Sequence, residues 1–217
     1  MTSSRQLEVF FPATGKSRKG CLDSLGDPIG TLIANSNVPG VYIQGLYCVD
    51  GKGNVIFEQK LSRESVSVAE QLALSQNLSI VGYDGDDLYT TELSPIVRHL
   101  SEHYGEPMPL AMSSKSLALL SDHEPSMHKL IIMDDDTEKL ANTVRPMLEE
   151  LAGQYGACVT QAIPTMLEWL PAGGSKANGV RELCNALGID PETELMALGD
   201  AENDAEMLSM AAIGVAV

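Results

Sequence analysis

The sequence predicts an α/β protein organised around parallel strands, and three observations carry that expectation. Residues 195–217 read as strand, helix, strand in close succession, the rhythm of a parallel α/β unit. Residues 61–172 alternate helical and strand patterns, and 40–57 hold β-rich runs about an Asp-Gly turn. At about 150 residues per domain, 217 residues allow one large domain or a core with a smaller companion.

Taken in order, Leu7 to Pro12 is a short apolar run sufficient for one strand, ending in the turn-prone Ala13-Thr14-Gly15-Lys16. Gly40 to Gly45 is a second run. It leads through Leu46–Val49 and Asp50-Gly51 to Val55-Ile56-Phe57, a hairpin pattern. Tyr83-Asp84-Gly85-Asp86-Asp87 reads as a hairpin turn and not a calcium loop, because Pro95 stands where the twelfth-position glutamate is needed. Ser94-Pro95 opens a helix carrying Ile96, Val97, Leu100 and Tyr104, and Gly105 stops it. Leu130–Met133 is a strand. Leu140, Val144, Met147, Leu148 and Leu151 then recur at helical period up to Gly153, with Pro146 predicting a kink or broken turn. Ser175 caps a helix whose Val180, Leu183, Cys184 and Leu187 share one face, closed by Gly188. Leu195–Leu198, Asn203–Met210 and Ile213–Val217 complete the chain as strand, helix and strand.

Thirty acidic against fourteen basic residues leave a net charge of −16, which argues against a nucleic-acid partner, since phosphate backbones are met by clustered Lys and Arg. No apolar run reaches the length of a membrane span or a signal peptide, so neither a membrane partner nor export is expected. Cys21, Cys48, Cys158 and Cys184 are scattered without a CxxC pair and read as small buried hydrophobes of a reducing compartment. The expected location is cytoplasmic, with an organelle left open. His99, His103, His123 and His128 lack the HExxH arrangement and read as surface residues.

The sharpest chemical feature is Leu198-Gly199-Asp200-Ala201-Glu202-Asn203-Asp204. It puts carboxylates at the C-terminal end of an apolar strand, where open α/β sheets place ligands. Asp200, Glu202, Asp204 and Glu206 are close enough to repel unless water or a cation intervenes, and oxygen donors of this kind suit Mg²⁺. Helix-dipole preference alone accounts for Glu202 and Glu206, less well for Asp200. Lys176 falls in the first turn of its helix, where the dipole disfavours a cation; either it faces an anion or it points into water. Thr14-Gly15-Lys16 follows a strand and could offer a hydroxyl and amides to an anion, but it is no P-loop, because Phe10 occupies the required glycine position.

Together these motifs resemble those of haloacid dehalogenase-like phosphatases, closest to the Cof-type branch with its large α/β cap. Thr14-Gly15-Lys16 resembles the second motif, Gly174-Ser175-Lys176 the third, and Gly199 to Asp204 the fourth. Gly40 to Leu61 is similar to the passage from core to cap, with Gln44-Gly45 where Asn-Gly is usual, and Glu168 to Lys176 to the return. The resemblance implies a Rossmann-like parallel-sheet core from residues 1–60 and 173–217 and an inserted α/β cap from 61–172. It implies Mg²⁺-dependent hydrolysis of small phosphorylated metabolites, sugar phosphates among them, through an aspartyl-phosphate. By this resemblance Thr14 and Lys176 are catalytic, Thr14, Gly15, Lys176 and Asn203 bind substrate, and Asp200 and Asp204 serve the metal, Asp204 as a ligand or an outer-shell partner.

One departure bears on activity. The family's first motif, a DxDGT strand end that supplies the nucleophile, should precede Thr14, and the thirteen residues there contain no aspartate. Leu130 to Thr137 has two aspartates two apart, Asp134 and Asp136, but its threonine comes one position early and it resembles a cap strand and turn instead. The expectation is therefore a fragment, missing its first strand and following helix and clipped after Val217, without turnover of its own. The alternative is a non-catalytic homologue that binds a phosphate ligand or a protein partner. Oligomeric state has no signal in the sequence.

Overall fold

A computed structural model describes residues 7–112, 116–119 and 127–217. The first elements are helices α1 (Arg18–Leu25) and α2 (Ile29–Asn35), then strands β1 (Gly40–Tyr42), β2 (Tyr47–Val49) and β3 (Val55–Glu58). Helix α3 (Arg63–Ser75) precedes β4 (Ser79–Asp84), β5 (Asp87–Thr90), α4 (Pro95–Tyr104), β6 (Leu110–Ala111) and β7 (Lys129–Met133). Next come α5 (Thr137–Lys139), a π-helical turn (Leu140–Val144), α6 (Arg145–Ala152), β8 (Ala157–Ile163) and β9 (Met166–Pro171). Helices α7 (Lys176–Leu187) and α8 (Pro191–Glu194), strand β10 (Met196–Gly199), helix α9 (Ala205–Met210) and strand β11 (Ile213–Ala216) finish the chain.

The strands form a six-stranded mixed sheet in the order β6-β5-β4-β7-β9-β8, a three-stranded antiparallel sheet β1-β2-β3, and the parallel pair β10-β11. A further parallel contact joins Ala13 to Val41. This is the expected α/β class, a core with parallel pairing and a cap with its own sheet. The hairpin turn at Gly85-Asp86 is as the sequence predicts, with Asp84 paired to Asp87. So is the Asp50-Gly51 turn between β2 and β3.

Local chemistry explains the helix limits. Ser94 accepts from the Val97 amide, Pro95 sits at the first helical position, and Gly105 closes α4 in the left-handed region at φ 68°. Ser175 accepts from the Asn178 amide to start α7, and Gly188 ends it at φ 71°. Pro146 produces the expected irregularity. Its missing N–H falls two residues beyond the widened π turn, in the first turn of α6.

Three expectations are corrected. Leu7 to Pro12 forms no strand; Pro12 and Thr14 bond to Val41 through backbone, and Leu7 and Phe10 stay exposed. A strand needs a ladder on at least one side, and only this short contact is available among the described residues. Leu187 faces solvent instead of completing the buried stripe of α7. His128 is buried at 1% exposure, while His99 and His103 are surface residues stacked on each other, and His123 lies outside the described residues.

Packing follows the period-two alternation of the larger sheet. Ile80, Leu130, Ile132, Leu167 and Trp169 pack with α3 residues Val66, Ala69 and Leu72 and α6 residues Leu148 and Ala152. The opposite face, with Val81, Tyr83, Ile131, Met133, Met166 and Leu170, packs on Tyr42, Ile43 and Leu46 of the core and on Val97 and Leu100. Lys129 and Glu168 share the parity of this second face, so both charges are directed toward the core. In a third cluster Val41 and Cys48 meet Ala177, Val180, Leu183 and Cys184 of α7, with Ala197 and Met207. The cysteines are unpaired; Cys21, Cys48 and Cys184 are buried and Cys158 half-buried. No helix among the described residues is long and apolar enough to cross a membrane.

Candidate functional site

The site is built where the N-terminus of α7 meets the loop after β10. Lys176 is 9% exposed, and its ammonium donates to Asp204 Oδ1 at 2.7 Å and to Asn203 Oδ1 at 3.3 Å. That pairing offsets the unfavourable placement of a cation at a helix N-terminus and rules out a lysine pointing into water. Asp204 Oδ2 accepts from the backbone amides of Asp200 and Ala201, both at 3.2 Å, folding the acidic loop around one carboxylate. Burial alone would raise the Asp204 carboxyl; the hydrogen bond and charge of Lys176, with the two amides, outweigh it and hold Asp204 below its ordinary value.

The two carboxylates expected at a metal differ. Asp204 has both oxygens engaged, one by an ammonium and one by amides. Asp200 is exposed at the end of β10, and its side chain accepts no hydrogen bond among the described residues. Mg²⁺ takes one or two protein carboxylates, with water and substrate oxygens for the rest, which fits a free Asp200 beside a preformed Asp204–Lys176 pair. Among the described residues no group of three or more His, Cys, Asp or Glu encloses a metal ion.

Gln44 ties the second motif to this loop. Its amide N–H donates to the Thr14 carbonyl at 3.1 Å, and its side-chain oxygen accepts from Asn203 Nδ2 at 3.2 Å. Thr14 and Gly15 thus take part through their carbonyls: Gly15 O accepts from Lys129 Nζ at 2.9 Å, and the Thr14 hydroxyl closes the local turn with the Lys16 amide. Gln44 holds a left-handed backbone at φ 58°, unusual for a residue with a Cβ. Its Nε2 donates to Glu168 Oε2 at 2.9 Å.

Glu168 sits in a buried polar patch of the cap that the sequence motifs do not include. Lys129 Nζ donates to its Oε1 at 2.6 Å and Thr160 Oγ1 to its Oε2 at 3.1 Å. Thr160 stands directly opposite Glu168 across β8 and β9, and Lys129 lies on the diagonal from β7. Burial favours the neutral acid, but Lys129 together with Gln44 and Thr160 holds the Glu168 carboxyl below its ordinary value. The available signal was a charge inside each of two apolar runs, Leu167-Glu168-Trp169 and Lys129-Leu130-Ile131, since such residues are rarely buried without a partner.

Asp134 is removed from this chemistry. It lies just past the end of β7 opposite to Lys129, about 16 Å along an extended strand, and pairs with Lys139 at 2.7 Å.

The chain thus combines an α/β core with parallel pairs, a cap sheet packed on it, and a lysine–aspartate pair at a strand end. The chain belongs to the haloacid dehalogenase-like hydrolases, whose family model matches residues 5–217. It is 37% identical over 217 residues to an Arabidopsis thaliana protein named "Endoribonuclease YBEY, chloroplastic", covering 98% of this chain and 36% of that one. It is 26% identical over 165 residues to "Putative phosphatase YxeH" of Bacillus subtilis, covering 75% of this chain and 58% of the other. The chain therefore spans between about a third and three fifths of these relatives' lengths. A crystal structure of a haloacid dehalogenase-like hydrolase from Bacteroides thetaiotaomicron superposes with a TM-score of 0.79 at 26% identity, over 95% of this chain and 74% of that one.

Proposed function

We propose that residues 1–60 and 173–217 carry the Mg²⁺- and phosphoryl-binding part of a phosphatase site for small phosphorylated metabolites, sugar phosphates among them, and that residues 61–172 form its cap. The observation that carries this reading is the Lys176 ammonium, held at 2.7 Å by Asp204 in the same loop that presents a free Asp200 carboxylate. Lys176 neutralises charge on the phosphoryl oxygens, which is most of what phosphoryl transfer asks of a protein beyond positioning. Asn203 steadies the ammonium and Asp204 fixes its direction. Thr14, whose carbonyl accepts from the Gln44 amide, and Gly15 beside it are tied to this loop through Gln44 and would meet the same phosphoryl group. Mg²⁺ held by Asp200 would add positive charge to the same oxygens.

In this family an aspartate attacks phosphorus. The first thirteen residues hold none, and Asp134 stands at the far end of β7, so the chain of residues 1–217 binds phosphate without turning over esters. The same observation supports the second reading, a phosphate-binding homologue without catalysis. The endoribonuclease name belongs to the longer plant protein, of which this chain spans 36%.

The test is isothermal titration of residues 1–217 with inorganic phosphate in Mg²⁺. Lys176→Met and Asp200→Asn should each weaken binding at least tenfold. Equal affinity in all three proteins would remove the site. p-Nitrophenyl phosphate should not be hydrolysed, and hydrolysis abolished by Asp134→Asn would return the nucleophile to the cap.

A further inference from the structure

Glu168 of the cap and Lys176 of the core are joined by an unbroken line of hydrogen bonds. Lys176 Nζ donates to Asn203 Oδ1, Asn203 Nδ2 to Gln44 Oε1 at 3.2 Å, and Gln44 Nε2 to Glu168 Oε2 at 2.9 Å. The line has a fixed polarity. An ammonium only donates and a carboxylate only accepts, so with those groups at its ends each intervening amide has one orientation that satisfies every bond. Glu168 and Gln44 are 3% and 5% exposed, which removes water as an easy substitute partner at that end.

We propose that Glu168 is a positioning residue: through Gln44 and Asn203 it sets the place of the Lys176 ammonium, so that the cap orders the group that meets phosphate. The proposal rests on the phosphate-binding reading of Lys176. Several features place Glu168 as an anchor. Lys129 bonds both Glu168 and the Gly15 carbonyl, and Thr160 holds the Oε2 that accepts from Gln44. The left-handed backbone of Ile43 and Gln44, at φ 52° and 58°, directs the Gln44 amide between the two halves. Strain of this kind persists only where surroundings over-determine it. A carboxylate paired with Lys129 alone would need none of these contacts.

The experiment uses residues 1–217 with two variants. Glu168→Gln keeps shape and removes the acceptor-only end. Gln44→Met cuts the line and leaves the Lys129–Glu168 pair in place, which covers a Glu168→Gln protein that fails to fold. Each variant should weaken inorganic phosphate binding about tenfold while Mg²⁺ binding in the absence of phosphate stays within twofold, a split that loss of structure would not produce. In ¹⁵N NMR the Asn203 side-chain amide should shift in Glu168→Gln, although Asn203 does not touch that residue. An unmoved Asn203 signal overturns the proposal. So does phosphate affinity within twofold of wild type in both variants while Lys176→Met abolishes binding, an outcome that leaves the site reading intact. Wild-type protein that binds no phosphate overturns the site reading, and this proposal with it.

Discussion

At the scale of single residues, His128 shows how burial sets a charge state. The Gly85 amide donates to its Nδ1 at 3.2 Å, so the neutral ring carries its proton on Nε2, which stands 3.4 Å from Glu58 Oε2. Burial, reinforced by the nearby Lys60 charge and opposed by Asp84 and Glu58, pushes its pKa down to about 4. A base depressed on folding binds protons more readily when unfolded, so stability falls as pH drops from the ordinary 6.5 toward 4. That corresponds to about 2 kcal/mol lost between pH 7 and pH 5. Urea midpoints across this range should show the decline, and His128→Gln should flatten it. A variant with the same slope as wild type would show that other groups carry the effect. Its burial is invisible in the local sequence, because it depends on Tyr47 and the Glu58–Lys60 segment packing against it, none of which is local to His128.

Among elements, the decisive contact is between α7 and the loop of residues 43–45. Gly45 has φ 86°, and a Cβ there would strike the Ser175 carbonyl. A Cβ on Gly179 would stand 2.5 Å from Gly45 Cα and 2.6 Å from its carbonyl. Two glycines thus let a helix and a loop touch backbone to backbone, which brings Gln44 to Asn203. Gly179→Ala gains helix propensity of up to about 1 kcal/mol, but overpacking costs about 1–3 kcal/mol, so a net loss is expected. Phosphate binding should weaken with it as Gln44 moves away. Asn185→Ala, at an exposed position of the same helix, is the control. If thermal melting places both variants level, the close approach is not limiting. The helix itself was legible from Ser175, its periodic apolar residues and Gly188, because a cap and a stripe are local properties. The role of Gly179 was not, because a mid-helix glycine has meaning only once its neighbour is in place.

For the whole molecule, one buried ion pair closes within the cap sheet and bonds onward to the core through the Gly15 carbonyl and Gln44, and a second joins α7 to the acidic loop. Lys129–Glu168 and Lys176–Asp204 are separated in sequence by 39 and 28 residues. Both carboxylates are held below their ordinary values, so their stabilisation is present above those values, 4.5 for Glu168 and 3.8 for Asp204, and is lost as pH falls further. Glu106, whose carboxyl burial raises against the opposing bonds of Ser17, works in the other direction. Lys129→Met strands a buried carboxylate and should cost about 3–5 kcal/mol. It should also move the acid unfolding transition to higher pH, because the variant enters the acid range with less stability to lose, even though Glu168, no longer held low by Lys129, then takes up its proton in the folded state. Circular dichroism through the acid range tests this; an unchanged midpoint would make the pair dispensable. Cap and core should melt together in the wild type, since the line from Glu168 to Lys176 crosses between them.

By itself the sequence determined what is encoded within a few residues: the capped helices α4 and α7, the turns at Asp50-Gly51 and Gly85-Asp86, the break at Pro146, and an acidic loop after an apolar strand. These follow from backbone conformation and side-chain periodicity, which act over one or two turns of chain. Only the tertiary structure decided that Lys176 spends its charge on Asp204, that Gln44 reaches Glu168 across 124 residues, and that Leu7 to Pro12 pairs too little to be a strand. Contacts of that span repay their loop-closure entropy only when the whole arrangement forms, so no segment records them alone.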